Sequence, residues 1–95
     1  MVTHMVLFKF DRLADAEEAK QRLLSMRGKV ESLLEIEAGV DFTRSGRSFE
    51  LGLITRHRDR EGLDAYRTDP VHLEVAGFIQ ERSTGAAAVD FESGE

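Results

Sequence analysis

The spacing of hydrophobic and polar residues changes period several times along the chain, and these changes predict the order of its secondary structure elements. Residues 3–10 predict a first strand in which both faces are largely apolar. One face carries His4, Val6, Phe8 and Phe10, and the other carries Met5 and Leu7. In a strand with one solvent-exposed face, apolar and polar residues would alternate more strictly, so we expect both faces of this strand to be covered.

The second predicted element is a helix that begins near Asp15, with Glu18 at the spacing of a capping box. Apolar residues then recur at steps of three and four: Ala16, Ala19, Leu23, Met26, Val30 and Leu33. This single stripe predicts an amphipathic helix, and Gly28 favours a bend or an early end.

The rest of the chain predicts two strands, two helices and a last strand. Residues 36–42 and 49–54 alternate and are separated by a hairpin loop at 43–47. A short helix follows over 59–66. Asp69 as N-cap and Pro70 as first helical residue then begin another helix. Residues 83–85 break that helix, and residues 86–91 form the last strand.

This order predicts an α+β, ferredoxin-like βαββαβ fold with one four-stranded antiparallel sheet and its helices on one face. The other face would expose some of a set of apolar side chains, whichever the pleat directs outward: Val6, Phe8, Leu53, Ile54 and Val89. Burial of each is worth about 1.5–3 kcal/mol. We therefore predict a homodimer in which two sheets pack face to face, as a dimeric α/β barrel.

Length, charge and cysteine content limit the classes of protein to which this chain can belong. The 95 residues predict a single domain over 1–95. The 18 acidic and 13 basic residues argue against nucleic acid as the main partner. The chain has no cysteine, so thiolate metal sites, disulfides and cysteine nucleophiles are excluded. Apolar runs are too short to span a membrane and the first 20 residues are unlike a signal peptide, so we expect a cytoplasmic protein without a membrane partner.

Four segments, at residues 4–10, 38–41, 66–73 and 89–91, together resemble the stress-responsive A/B barrel (Dabb) family. The most specific piece is Tyr-x-x-x-Pro-x-His, formed by Tyr66, Pro70 and His72. The resemblance implies a dimeric α+β barrel, and most members have no established activity. One member is a cofactor-free polyketide cyclase, in which a tyrosine and a histidine at the spacing of Tyr66 and His72 act in an aldol-type ring closure.

The resemblance also implies which residues line a pocket. The opening-strand histidine, here His4, lies in the pocket of that cyclase, and Phe8 shares its strand face. A further cyclase histidine aligns with Leu51, whereas His57 lies further along. We predict ligand contacts for His4, Phe8 and Leu51.

His72 and Tyr66 are the candidate catalytic residues. A position in the first turn of a helix disfavours imidazolium and keeps His72 neutral, although Asp69 opposes this. A neutral imidazole can act as a general base, and Tyr66 could donate to an oxygen that gains charge. The alternative is that His72 binds backbone groups and Tyr66 fills the core edge.

The histidines lack metal-ligand spacing, so no metal is predicted. Residues 56–60, which include His57, are interpreted as a solvated strand end.

The leading hypothesis is a small homodimeric protein that binds a small apolar or aromatic molecule in a cavity between sheet and helices, without a cofactor. The alternative is a cofactor-free enzyme, either an aldol-type polyketide cyclase or a quinol-type monooxygenase, with His72 as base and Tyr66 as oxyanion donor. A third possibility is a dimerisation module with a packed interior. Whether the protein is an enzyme stays open.

Overall fold

The computed structural model describes residues 1–94, which form one sheet with three helices packed on one of its faces. The elements are β1 (Val2–Phe10), α1 (Leu13–Leu24), β2 (Glu35–Val40), β3 (Leu51–His57), α2 (Arg60–Thr68), α3 (Pro70–Arg82) and β4 (Ser83–Glu92). The strands are antiparallel in the order β2-β3-β1-β4. This arrangement confirms the predicted ferredoxin-like fold.

The pleat of β1 and β3 decides which side chains the helices cover. Val6 and Leu53 are buried on the helix side, and Phe8 is partly buried there. Ile54 and Val89 lie on the opposite side, which we call the open face. Of the five candidates for the uncovered side, the pleat therefore directs only these two outward, because β1 places its even positions and β3 its odd positions under the helices.

The start of α1 differs from the prediction. The helix begins at Leu13 after Arg12, and its N-terminus has no side-chain cap. Asp15 lies in the first turn, where its Oδ1 is 3.0 Å from Nη1 of Arg82 on α3. The predicted capping box is therefore wrong: Asp15 instead pairs with a cation that the distant end of the chain supplies.

The end of α1 comes earlier than its apolar stripe suggests. The helix stops at Leu24, and Gly28 adopts a positive φ of 81° in the turn that follows. Met26, Val30 and Leu33 are nevertheless buried. The apolar stripe therefore predicted burial correctly. The left-handed conformation of Gly28 lets the chain turn after the helix end while the following apolar residues still pack against the core.

The junction between α2 and α3 forms as the sequence predicts. The Asp69 carboxylate accepts a hydrogen bond from the backbone N–H of Val71 at 2.8 Å, and Pro70 is the first residue of α3. The predicted break of the helix at 83–85 is confirmed, because α3 ends at Arg82, but β4 begins at Ser83 and not at residue 86 as predicted. The junction places Tyr66 near the end of α2 and His72 in the first turn of α3.

The helices of the described chain have lengths of nine to thirteen residues. Within residues 1–94, none is both long and apolar enough to cross a membrane.

Candidate functional site

Three histidines from three different elements surround the ring of Tyr66. The ring centroid of Tyr66 is 4.3 Å from that of His72, 4.9 Å from that of His57 and 6.3 Å from that of His4. Tyr66 lies on the buried side of α2, and burial raises the pKa of its hydroxyl above the ordinary value. Within residues 1–94, that hydroxyl has no hydrogen-bond partner.

His72 is held in one neutral tautomer. Its Nδ1 lies 3.1 Å from the carbonyl oxygen of Arg67. A carbonyl only accepts, so Nδ1 donates and Nε2 keeps its lone pair. Burial is the main cause that lowers the pKa of His72 below the ordinary value, although the Arg67 carbonyl and the Asp69 charge oppose it. The direction agrees with the sequence prediction, but burial, rather than the helix terminus, is the leading cause.

His4 is linked to α2 through an aspartate that the sequence analysis did not select. The Nδ1 of His4 lies 2.5 Å from Asp90 on β4, and the other carboxylate oxygen of Asp90 lies 2.5 Å from Arg67. The hydrogen bond from His4 is the main cause that lowers the pKa of Asp90. Arg67 is thus linked to both site histidines: its carbonyl accepts a hydrogen bond from His72, and its guanidinium binds Asp90, which in turn binds His4.

His57 is fully buried, so its interpretation as part of a solvated strand end is wrong. Its Nδ1 donates to the carbonyl of Ser32 at 2.8 Å, and its Nε2 accepts from the hydroxyl of Thr55 at 2.9 Å. With both nitrogens occupied, the ring serves as a fixed packing partner for Tyr66. The inward alternation of β3, continued from Leu53 over two more inward positions, Thr55 and His57, would have revealed its position.

A cavity of about 280 Å³ lies between the inner face of the sheet and helices α1 and α3. Its apolar lining comes from Val6, Phe8, Leu23, Leu53, Ala76, Ile79 and Ala86. His4, His72, Gln80 and Ser83 supply polar groups. The predicted residues His4, Phe8 and His72 therefore meet at one cavity.

Two other predicted residues lie outside the cavity lining. Leu51 is 1% exposed and packs in the core, so it is not placed to contact a molecule in this cavity. Tyr66 lies behind His72 and also does not line the cavity. As for metal ligands, residues 1–94 contain no group of three or more Asp, Glu or His side chains that could hold an ion.

The family model of the stress responsive A/B barrel domain matches residues 2–93. The chain therefore belongs to the Dabb family. No curated protein matches the sequence.

Solved structures with the same fold include proteins of different activities. A dimeric protein of unknown function with a ferredoxin-like fold from Bacteroides fragilis has a TM-score of 0.87 and 24% identity, over 97% of this chain and 95% of that one. A hydroxynitrile lyase from Passiflora edulis has a TM-score of 0.83 and 12% identity, over 99% and 94% of the two chains. An antibiotic biosynthesis monooxygenase has a TM-score of 0.79 and 12% identity, with both chains covered completely. At these identities the likeness concerns the fold alone.

Proposed function

We propose that this chain is a single-domain, homodimeric Dabb protein that binds a small apolar or aromatic molecule in the cavity between sheet and helices. The observation that carries the proposal is the cavity of about 280 Å³, in which an apolar lining meets two histidines. A dry apolar cavity of about 150 Å³ is enough to bind benzene. One or two rings with short substituents therefore suit the volume. A cytoplasmic location, and the absence of nucleic-acid and membrane partners, stay predictions.

The tautomer of His72 restricts the polar group of the ligand. Because Nδ1 donates to the Arg67 carbonyl, Nε2 is a hydrogen-bond acceptor at neutral pH. A ligand that presents a hydroxyl or N–H donor at this nitrogen would bind better than one that presents only an acceptor. The expected occupant is thus an apolar molecule with one donor group.

Filling the cavity tests this proposal. Ala76 lines the cavity on α3, whereas Ala65 is exposed on α2. In a thermal-shift titration with hydroxyl-bearing aromatic compounds, Ala76→Leu should weaken binding at least tenfold, and the matched control Ala65→Leu should bind as the wild type does. Equal affinity for both variants would contradict binding in this cavity.

The open face supports the homodimer. Leu7, Val89 and Phe91 lie on it with 40%, 51% and 42% of their surface exposed. Full burial of such a side chain is worth about 1.5–3 kcal/mol, so covering the exposed part contributes about 1 kcal/mol for each. The Bacteroides fragilis protein of similar fold is dimeric, which agrees with a second copy of this chain that covers the open face.

Sedimentation equilibrium tests the homodimer with a pair of leucines. Leu7 lies on the open face, and Leu73 is exposed on the outer side of α3. The wild type and Leu73→Asp should be dimers, and Leu7→Asp should be monomeric. A monomeric wild type, or a Leu7→Asp variant that dimerises normally, would contradict the proposal.

A second candidate function is cofactor-free catalysis, favoured by the free Nε2 of His72 and the unpartnered Tyr66 hydroxyl of the described chain. In an aldol-type closure, Nε2 would take a proton from a carbon between two carbonyl groups, and the resulting carbanion would attack a further carbonyl. Tyr66 would then donate to the oxygen that gains charge. The quinol-type monooxygenase stays a second form of this candidate. We rank catalysis after binding because Tyr66 does not line the cavity.

The pH profile tests catalysis with a linear poly-β-ketone as substrate. Turnover should be constant near neutral pH and fall as acidification protonates His72, at a pH below its ordinary pKa of 6.5. Substitution of His72 by Gln should abolish turnover while ligand binding remains measurable. Turnover that His72→Gln leaves unchanged would exclude His72 as the base.

A further inference from the structure

Two glycines lie side by side near the middle of the open face. Gly39 of β2 is the direct partner of Gly52 of β3. Gly52 is in turn the partner of Leu7 on β1. One cross-strand row of the face therefore has two positions without a side chain beside a protruding leucine.

Within residues 1–94, no backbone conformation and no close contact requires glycine at either position. Neither residue has a positive φ. A Cβ atom added at Gly39 would meet no atom within 4 Å, and one added at Gly52 would only make an ordinary contact of 3.9 Å with Leu7. Glycine weakens a strand interior and often marks a place where another group approaches closely. Since no group of residues 1–94 approaches, the pair leaves room for a group from another molecule.

The glycine pair forms the floor of an apolar groove of about 350 Å³. Its rim is made by Met5, Leu7, Glu37 and Ile54. In a two-fold interface the same patch of each copy faces the other, so a protrusion beside a depression can complement itself. Leu7 is the partly exposed protrusion next to this depression.

We propose that the Gly39–Gly52 groove is a socket for Leu7 of a second copy, and that each copy fills the socket of the other. The inference rests on the proposed homodimer and specifies its geometry. The two-fold axis then passes close to Leu7 and Gly52. Apart from Glu37 on the rim, the contact is apolar on both sides, and the two missing side chains allow the sheets to approach closely at this point.

Gly39→Val provides the test, because valine favours strands and a Cβ atom at this position meets no atom of residues 1–94 within 4 Å. Dimerisation measured by sedimentation equilibrium should weaken at least tenfold, and Gly39→Ala should weaken it less. Gly39→Val combined with Leu7→Ala should recover part of the lost dimer affinity, because alanine is small enough to fit a socket that valine has partly filled. In the monomeric Leu7→Asp background, Gly39→Val should leave the urea midpoint unchanged or raise it.

Gly77→Ala is the matched control, since Gly77 lies on α3 with no atom within 4 Å of an added Cβ. It should dimerise as the wild type does. A dimeric wild type with an equally dimeric Gly39→Val variant would overturn the socket and leave the homodimer standing. A monomeric wild type would overturn the homodimer and the socket together.

Discussion

Asp90 joins β1, β4 and α2, so its replacement by Asn measures how strongly this link holds the site. The substitution keeps the shape of the side chain and removes the charge that His4 and Arg67 share. We expect the free energy of unfolding at pH 7 to fall by about 1–2 kcal/mol. The reason is that the Asn variant lacks the carboxylate, which accepts two charge-assisted hydrogen bonds in the wild type.

The magnitude follows from the exposure of the partners. A hydrogen bond to a charged group contributes about 1.5–3 kcal/mol. The side chain of Asp90 is 36% exposed, so solvent screening reduces this value. The contact with Arg67, itself 44% exposed, adds about 0–1 kcal/mol. The expected total is therefore small but measurable.

The pH dependence has a definite sign. The folded protein holds the pKa of Asp90 below its ordinary value of 3.8. The stabilisation is therefore complete above that value and is lost as the pH falls through the lowered pKa. The difference between wild type and Asp90→Asn should be constant near neutrality and shrink as the pH falls below 3.8.

Urea unfolding at one fixed protein concentration measures both effects, because the stability of a dimer depends on concentration. Asp64→Asn is the matched control, since Asp64 is a highly exposed aspartate 3.5 Å from the same arginine. It should change stability by less than about 0.5 kcal/mol. An Asp90→Asn variant as stable as this control at pH 7, or one whose deficit persists undiminished in acid, would contradict a stabilising link through Asp90.

Three further substitutions test buried polar groups by urea unfolding. Tyr66→Phe removes a buried hydroxyl without a partner in residues 1–94, so the ligand-free protein should become more stable by about 1 kcal/mol; a loss of stability would show that the hydroxyl is satisfied. Thr55→Val removes the donor to His57 and should cost about 1–3 kcal/mol, whereas no loss would mean that His57 needs no partner. The backbone N–H of Phe10 donates a hydrogen bond to the Glu50 carboxylate, and this hydrogen bond lowers the pKa of Glu50. Glu50→Gln weakens that acceptor and should cost about 1 kcal/mol at pH 7. The deficit should shrink below the ordinary pKa of 4.5 and vanish as the pH falls through the lowered pKa, whereas a pH-independent deficit would contradict this.

Sequence periodicity predicted the element order because the change between periods of about two and 3.6 is a local signal. It also located the start of α3, since Asp69 and Pro70 act within one turn of the helix. The start of α1 was missed for the opposite reason. Asp15 has the residue type of a cap, but its partner is Arg82, which lies 67 positions further along the chain.

The choice of the buried face could not come from β1 alone. Both faces of this strand are apolar, so its pattern does not say which one the helices cover. The information lies in the register of β3, where Leu53 faces inward with Thr55 and His57. Two polar residues at inward positions concealed that alternation, and the buried hydrogen bond between them compensates for their polarity.

The candidate site was predicted in part. His4, Phe8 and His72 do line one cavity. The link through Asp90 was not predicted, because His4 and Asp90 are 86 positions apart in the sequence. Only the antiparallel pairing of β1 with β4 brings them together. The tautomer of His72 likewise depends on the chain path between α2 and α3, which places a carbonyl beside Nδ1.

Methyl-detected NMR titration with a small hydroxyl-bearing aromatic compound shows whether a ligand binds between the sheet and the helices. The methyl groups of Val6, Leu53, Ala76 and Ile79 line the cavity, whereas those of Leu7, Ile54 and Val89 lie on the open face. We predict saturable shifts in the first set, and Ala76→Leu should need at least tenfold more compound to reach them. Shifts confined to the open face, or no saturable shift with any such compound, would contradict a ligand site between sheet and helices.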